Sequence, residues 1–197
     1  MRWEGDLSLE LLVNDMPLQI MSFAYVDAAL FGLPSGPILF ITRNQKHRCD
    51  EGHALFRNAF KQTLPAYFCL ASVIGVAVAN SMSRVAAVRH DAQIACTDEI
   101  AQTLKNSYDE FWRAFRATEL GNQAFLLPVP MATVPLSEVK AKHRRRATER
   151  RDAWGDVASQ SSSSLVALRK STPWPAHVRA THCLSGAYAL LAPLIGI

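Results

Sequence analysis

The stretch that decides the fold runs from Ser107 to Arg113 and reads SYDEFWR. Ser107 and Glu110 have the spacing of a capping box, which predicts that a helix begins here. Aromatic side chains recur at three- and four-residue intervals, so this helix carries an aromatic face that can pack against a core: Tyr108, Phe111, Trp112 and Phe115. Gly121 is the predicted C-terminal stop of the helix.

Downstream, Phe125–Leu127 has the composition of a strand that Pro128 and Pro130 close. A long basic helix is predicted from Pro135. Positions 140 to 151 hold seven basic residues and one acid, and the whole chain has a net charge of +4, so the rest of the chain is slightly acidic. A surface that coats nucleic acid is therefore disfavoured. The basic residues are Lys140, Lys142, Arg144, Arg145, Arg146, Arg150 and Arg151.

Upstream, Leu7–Val13 alternates apolar and polar residues, and a second alternating run follows a turn at positions 14–17. The parity of this second run changes near Met21, which suggests a bulge or a strand buried on both faces. The continuous apolar run Ile38–Ile41 is typical of a central strand covered on both sides. The polar residues Thr42–Asp50 are predicted to form a loop that leads into the next helix.

Positions 62 to 83 carry no charge, and a segment of this length could cross a membrane. Pro65, Gly75 and Asn80 dilute its hydrophobicity, so we predict a buried helix that ends near Asn80. A short strand is then expected from Val85 through Ile94, followed by a helix over positions 98–105.

These elements predict an α/β protein of the α+β kind, with a mixed, mainly antiparallel central sheet flanked by helices and a long basic C-terminal helix. Residues 1–158 are expected to form one domain. The serine-rich stretch Ser159–Ser164 is expected to be flexible, and it begins a low-complexity linker and apolar tail that would occupy positions 159–197. The cysteines show no C-x-x-C spacing, so free thiols in a reducing cytoplasm are expected: Cys49, Cys69, Cys96 and Cys183.

Over roughly residues 7 to 153 the chain resembles the bacterial VirK/YbjX family, whose domain has no established biochemical function. The resemblance rests on the opening hairpin, the run from Gly36 to Gln45, the paired helices around Pro65, the Ser107–Trp112 element, the Phe125–Pro128 segment and the basic run 137–146. It implies a link to virulence, to maintenance of the envelope and its lipid A, and to resistance against cationic antimicrobial peptides.

The order of the predicted elements is also similar to that of GCN5-related acyltransferases. In that fold, backbone N–H groups after the central strand and at a helix start bind the pyrophosphate of an acyl-CoA. The resemblance implies a thioester cofactor, with acyl-CoA or an acyl carrier as the candidate, although a solvated surface loop is the alternative. The residues at these positions are Arg43, Asn44, Gln45, Lys46, Arg48 and Gly52.

The same resemblance makes Tyr108 a candidate catalytic residue, because acyltransferases of this kind often place a tyrosine there to protonate the departing thiolate. A phenol can act as a general acid when it lies within hydrogen-bonding reach. The alternative is that Tyr108 packs the aromatic helix against the sheet.

Two further clusters contain side chains that bind metals or transfer protons in other proteins. His47, Cys49, Asp50 and His53 are ligand-type side chains, but a loop-to-helix junction gives awkward geometry for tetrahedral zinc, and we predict no metal site. His90 and Asp91 could form an acid–base pair, but adjacent residues on a strand face opposite ways. An exposed turn is the preferred interpretation of that pair.

The basic residues of the long helix could contact anionic lipid headgroups, each contributing roughly 1 kcal/mol near such a surface. A solvated helix packed by one edge is the alternative, and no specific nucleic acid is expected. Two functions therefore remain open: an acyl-transferring enzyme of envelope homeostasis, or a non-catalytic protein that binds an anionic partner. The expected location is the cytoplasm, with a peripheral position at the inner membrane as the alternative. No sequence feature indicates the oligomeric state.

Overall fold

The computed structural model describes residues 5–60, 63–121 and 123–171. Over these residues the chain forms a six-stranded sheet in the order β1-β2-β3-β4-β6-β5, with helices packed against it. The predicted α+β class, with its mainly antiparallel sheet and long C-terminal helix, is confirmed. The strands are β1 Leu7–Val13, β2 Met16–Asp27, β3 Pro37–Lys46, β4 Arg84–Val88, β5 Thr118–Leu120 and β6 Ala124–Pro128. The helices are α1 Asp50–Ala59, α2 Pro65–Ala79, α3 Ala101–Ser107, α4 Asp109–Arg113 and α5 Ala141–Ser171.

Strands β1 and β2 form the predicted antiparallel hairpin, and its turn residues Asn14 and Asp15 both adopt positive φ. This is the backbone that two-residue hairpin turns require, and Asn and Asp tolerate it better than most residues. The register of β2 against β3 shifts between Ser22 and Phe23, close to the predicted irregularity at Met21. The bulge therefore lets one long strand bury side chains of both parities.

Strand β3 is longer than its apolar run, which corrects the loop expected from Thr42 onward. It continues to Lys46 because β2 is twelve residues long and pairs with β3 as far as Lys46, which faces Gln19. Parallel pairing with β4 covers only three residues of β3 and ends at Ile41, which faces Ala87. Strand β4 itself ends at Val88 rather than reaching Ile94. Beyond Ile41, β3 therefore has a neighbouring strand on one side only.

Helix α2 is the predicted buried helix, and it packs between the sheet and α5. No helix in the described part of the chain is both long and apolar enough to cross a membrane. The aromatic residues of α4 join Tyr67 of α2 and Trp154 of α5 in one cluster, in which the rings of Tyr67 and Phe111 stack at 5.4 Å. The predicted aromatic face is thus confirmed as part of the core.

The boundaries around this face differ from those expected. Ser107 is the last residue of α3, and Tyr108, at the N-cap of α4, makes no side-chain cap. The predicted capping box is therefore wrong, and the backbone N–H of Tyr108 donates instead to the carbonyl oxygen of Leu104 in α3 at 2.8 Å. Gly121 does not end a helix either; it follows β5 with φ of 59° and lies in the turn before β6.

Helix α5 corrects the flexible stretch expected at Ser159–Ser164, since it continues unbroken through these serines to Ser171. Ser161 is buried, and Ala158 and Ser161 lie directly against Gly75 of α2. Small side chains here serve close helix packing rather than flexibility. The division into a domain at 1–158 and a tail remains a prediction, and positions 172–197 lie outside the described residues.

Candidate functional site

The candidate site lies where the parallel strands β3 and β4 part. In the register that pairs Leu39 with Val85, Asn44 would face His90, but the direct pairing stops at Ile41. Two consecutive residues, Tyr108 and Asp109, fill the gap. Tyr108 bonds Asn44 in the second half of β3, and Asp109 bonds His90, which follows the end of β4. We call this arrangement the fork, and its four residues are Asn44, His90, Tyr108 and Asp109.

The β3 side of the fork is bonded to Tyr108. The backbone N–H of Asn44 donates to the phenol oxygen at 3.1 Å, and the Asn44 side-chain amide donates to the carbonyl oxygen of Ser107 at 3.3 Å. The Asn44 amide oxygen in turn accepts from Gln19 at 2.7 Å. Both Asn44 and Tyr108 are buried. The phenol oxygen thus replaces the strand that is missing at this point of β3, since a buried N–H needs an acceptor.

The other side of the fork is a histidine–aspartate pair. Asp109 Oδ2 lies 2.9 Å from His90 Nδ1, and Asp109 Oδ1 accepts the backbone N–H of His90 at 3.0 Å. The Asp109 side chain is 1% exposed and the His90 side chain 16% exposed. Because a carboxylate only accepts hydrogen bonds, it fixes the proton of a neutral imidazole on Nδ1 and leaves the lone pair on Nε2.

A third side chain completes the polar lining of this region. Gln93 donates its side-chain amide to the carbonyl oxygen of Thr42 at 2.7 Å, on the stretch of β3 that β4 no longer covers. Trp112 donates its indole N–H to the carbonyl oxygen of Val88, the last residue of β4, at 2.9 Å. Side chains therefore bond the backbone carbonyl groups of both β3 and β4 at the point where the two strands separate. Several buried polar residues lie close together here.

The predicted cofactor residues lie in different environments in the structure. Arg43 and Gln45 are separated from Asn44 by the alternation of β3, and Arg43 donates its guanidinium to the Gln45 side-chain oxygen at 2.7 Å. Lys46 and Arg48 are exposed at the end of the strand. Gly52 is buried in the first turn of α1, where an added Cβ would lie 2.6 Å from Leu18.

The start of α1 is poorly suited to an anion. Its first turn contains Asp50 and Glu51, whose charges already interact with the positive end of the helix dipole. The expected pyrophosphate site at this helix start thus has acidic side chains where a phosphate would bind. Of the predicted group, Lys46 and Arg48 are the exposed cations that could still reach an anionic cofactor.

The ligand-type residues around α1 do not converge on a metal. His53 is buried and its Nε2 bonds the carbonyl oxygen of His47 at 3.0 Å, while His47 lies 3.1 Å from Glu10. Within residues 5–60, 63–121 and 123–171, no group of three or more His, Cys, Asp or Glu side chains could hold a metal ion.

The basic residues of α5 also differ among themselves. Arg144 donates to the carbonyl oxygens of Val139 at 2.9 Å and Ser137 at 3.3 Å, and Arg151 donates to the carbonyl oxygen of Val134. These two arginines therefore fix the turn before the helix. Arg145 pairs with Glu149 at 3.0 Å, and Arg150 is half-buried.

Three further cations at the start of α5 are exposed: Lys140, Lys142 and Arg146. The first turn of the helix contains no acid. Because the N-terminus of a helix is itself positive, these side chains add to the potential there instead of opposing it. We call Lys140, Lys142 and Arg146 the basic end of α5.

Sequence reasoning named Tyr108 and Asn44, which the structure brings together in the fork, but did not name the His90–Asp109 pair or Gln93. His90 was paired with its neighbour Asp91, whereas Asp91 bonds Arg89 at 3.1 Å. One signal was available: Asp109 precedes Trp112 by three residues, so helical periodicity places a carboxylate beside the buried aromatic face. The identity of its partner required the tertiary structure.

The fold and the fork define an α+β protein with one parallel strand pair and a buried polar site where that pair parts. The family described as "protein of unknown function (DUF535)" matches residues 1–163 of the 197 residues. The chain belongs to the DUF535 family, which is also known as VirK/YbjX, as the sequence resemblance had indicated. Neither the curated proteins nor the solved structures contain a match to this chain.

Proposed function

We propose that this DUF535 protein transfers an acyl group from a thioester donor, with the reacting carbonyl at the fork. The observation that carries the proposal is the parting of β3 and β4 around Tyr108 and Asp109. In open α/β sheets, ligands bind outside the carboxyl ends of the strands where the arrangement of strands changes. A tyrosine hydroxyl at such a point is a general acid suited to a departing thiolate.

The element order supports the same proposal. A hairpin precedes the central strand, two helices connect it to its parallel neighbour, and a final hairpin places β6 between β4 and β5. The sequence suggested a likeness to GCN5-related acyltransferases from a simpler order, which lacked the final hairpin, and we propose that likeness here as support for the chemistry. The cellular role that we infer from the VirK/YbjX resemblance is envelope homeostasis, with virulence and antimicrobial-peptide resistance as its consequences.

Of the predicted cofactor residues, Lys46 and Arg48 are the ones that we propose as contacts for the donor's phosphates. Both are exposed at the end of β3, on the chain segment that leads away from Asn44. Their proposed role is charge complementarity with the nucleotide part of an acyl-CoA, while the start of α1 is left out because of its acidic first turn. An acyl carrier would meet the same cations through its phosphopantetheine arm.

The test is a thermal-shift titration of the full chain with octanoyl-CoA. Saturation at 100 times Kd should stabilise the protein by about 2.7 kcal/mol, which raises the thermal midpoint by several degrees. Lys46→Ala combined with Arg48→Ala should weaken binding at least tenfold. Arg57→Ala on α1 removes an exposed charge elsewhere and should leave the affinity unchanged. Absence of any shift in the wild-type chain would contradict the proposal.

A second candidate function is favoured by the basic end of α5, which concentrates exposed cations at the positive end of a 31-residue helix. We propose anionic lipid headgroups of the inner membrane as its partner. Co-sedimentation with phosphatidylglycerol vesicles should be lost in 0.5 M salt, because a Debye length of about 4 Å screens such contacts. Replacement of Lys140, Lys142 and Arg146 by alanine should abolish it, whereas Arg57→Ala should not. Equal binding to phosphatidylcholine vesicles would exclude this function.

A further inference from the structure

We infer that His90, oriented by Asp109, is the general base that activates the acyl acceptor at the fork. This inference rests on the proposed function, because it names the group that removes a proton from an amine, hydroxyl or water acceptor. It is carried by geometry: a 1%-exposed carboxylate bonds both the backbone N–H and the ring Nδ1 of a histidine that keeps part of its surface open.

The choice of tautomer makes His90 suited to this role. Asp109 binds Nδ1–H, so the basic lone pair belongs to Nε2, the ring nitrogen on the far side from Asp109. The second hydrogen bond of Asp109, to the backbone N–H of the same residue, fixes the carboxylate as well. A base that is held in one tautomer and one orientation does not have to reorganise when it accepts a proton.

The proposed base, His90, and the proposed acid, Tyr108, lie on opposite sides of the point where β3 and β4 separate. Asn44 and His90 are the residues that the register of β3 and β4 would place side by side, and Tyr108 and Asp109 are consecutive residues inserted between them. The acid Tyr108 is bonded to the β3 arm, and the base His90 belongs to the β4 arm. We place the thioester carbonyl beside the fork, at the partly exposed edge of the His90 ring.

The acceptor gives its proton to His90 Nε2 and forms a bond to the thioester carbonyl carbon. The carbon–sulfur bond then breaks, and Tyr108 gives its proton to the departing thiolate. The His90 imidazolium then releases its proton to solvent, and the Tyr108 phenolate takes up a proton from solvent. The products are the acylated acceptor and the free thiol. Asp109 is a positioning residue because it acts only through His90.

Charged side chains from α4, β5 and the chain next to His90 surround the His90–Asp109 pair. Asp109 on α4 faces the ring directly, and Arg113 on α4 interacts with the Asp109 charge. Arg89 and Asp91 flank His90 and pair with each other at 3.1 Å, and Glu119 on β5 lies 3.9 Å from Arg89. The charges that flank His90 are therefore paired with charges of the opposite sign. Asp109 is the carboxylate that bonds the imidazole ring of His90.

The first measurement is chemical and requires no turnover. Diethyl pyrocarbonate acylates the unprotonated nitrogen of an imidazole, and peptide mass spectrometry locates the product. His90 should react faster than the 3%-exposed His53, and octanoyl-CoA should slow its reaction. Asp109→Asn can keep both hydrogen bonds, but its amide N–H donates to Nδ1 of His90. The ring proton of His90 then lies on Nε2, which no longer has a free lone pair, so the reaction of His90 should be suppressed. An unreactive His90 in the wild-type chain would overturn the inference.

The second measurement is the release of thiol from octanoyl-CoA with ethanolamine as the acceptor. His90→Gln should lower the rate about 10²- to 10⁴-fold, the usual contribution of a general base. The octanoyl-CoA thermal shift should persist in this variant. His143→Gln, on the exposed start of α5, is the control. Full activity in His90→Gln would overturn the inference while leaving the proposed acyl transfer intact. Absence of thiol release or of binding in the wild type would instead contradict the proposed function.

Discussion

At the scale of single residues, the fork shows how a sheet can open without leaving backbone groups unpaired. A buried N–H or carbonyl without a partner costs about 1–3 kcal/mol. Where β4 ends, Tyr108 accepts the Asn44 N–H and Gln93 donates to the Thr42 carbonyl oxygen. The side chains that would perform the proposed chemistry thus also complete the hydrogen bonding of the sheet.

Removal of the phenol oxygen tests this structural role. Tyr108→Phe keeps the ring in the core but leaves the buried Asn44 N–H without its acceptor, so the free energy of unfolding should fall by about 1–3 kcal/mol. Urea unfolding monitored by tryptophan fluorescence measures this change. Tyr67→Phe is the matched control, since its ring contacts with Phe111 and Trp154 survive the loss of the hydroxyl. Equal stability of the two variants would contradict the assigned role of Tyr108.

At the scale of elements, the contact between α2 and α5 explains why a serine-rich sequence forms a helix. An ideal Cβ on Gly75 would lie 2.2 Å from the carbonyl oxygen of Ala158 and 2.8 Å from the Cβ of Ser161. The two helix backbones therefore approach closely, and only small side chains fit between them. Arg169 adds a contact at the far end, where it donates to the Ala79 carbonyl oxygen at 3.2 Å and caps α2.

Two glycine substitutions with opposite expected signs test this packing. Gly75→Ala should destabilise the protein by about 1–3 kcal/mol, because the methyl group would collide with the backbone of α5. Gly155→Ala, on α5 where no heavy atom lies within 4 Å of the new Cβ, should stabilise it by about 0.5–1 kcal/mol. Thermal or urea unfolding of both variants measures the difference. If both substitutions stabilise the chain, α5 does not pack on α2 as described.

At the scale of the whole molecule, the core is apolar enough to keep a thiol protonated far above neutral pH. Burial, together with the nearby charge of Glu10, raises the pKa of Cys69 to about 12, against a smaller opposing hydrogen bond from the backbone of Leu11. An unfolded cysteine ionises near pH 8.5. Between these two values the unfolded chain releases a proton that the folded chain retains, so stability falls as the pH rises.

This linkage predicts an alkaline loss of stability that depends on one side chain. From about pH 9 upward, Cys69 should lower the free energy of unfolding by at most about 1.4 kcal/mol per pH unit. Urea unfolding at pH 8 and pH 10.5, under reducing conditions, should therefore show a steeper decline for the wild type than for Cys69→Ala. The half-buried Cys49 and Cys96 remain in both chains and serve as internal controls. Parallel declines would show that the Cys69 thiol ionises equally in both states.

Periodicity in the sequence determined the elements whose burial is local. The alternation in Leu7–Val13 and the uncharged α2 each predicted the observed element and its buried face. The aromatic spacing of Tyr108, Phe111 and Trp112 predicted the buried face but not the bounds of the helix. These patterns are reliable because hydrophobic burial acts on one face of one element at a time. Membership of the DUF535 family was also predictable, since its motifs are local.

The tertiary structure decided what depends on partners distant in sequence. Polar residues after Ile41 continue β3 because β2 pairs with them, and the serines of α5 are helical because Gly75 leaves room for them. The fork could not be predicted for the same reason: Asn44 and Tyr108 are 64 residues apart, and Asp109 bonds a histidine 19 residues away. Hydrogen bonds and close packing depend on distances in space, and a local sequence pattern carries no information about those distances.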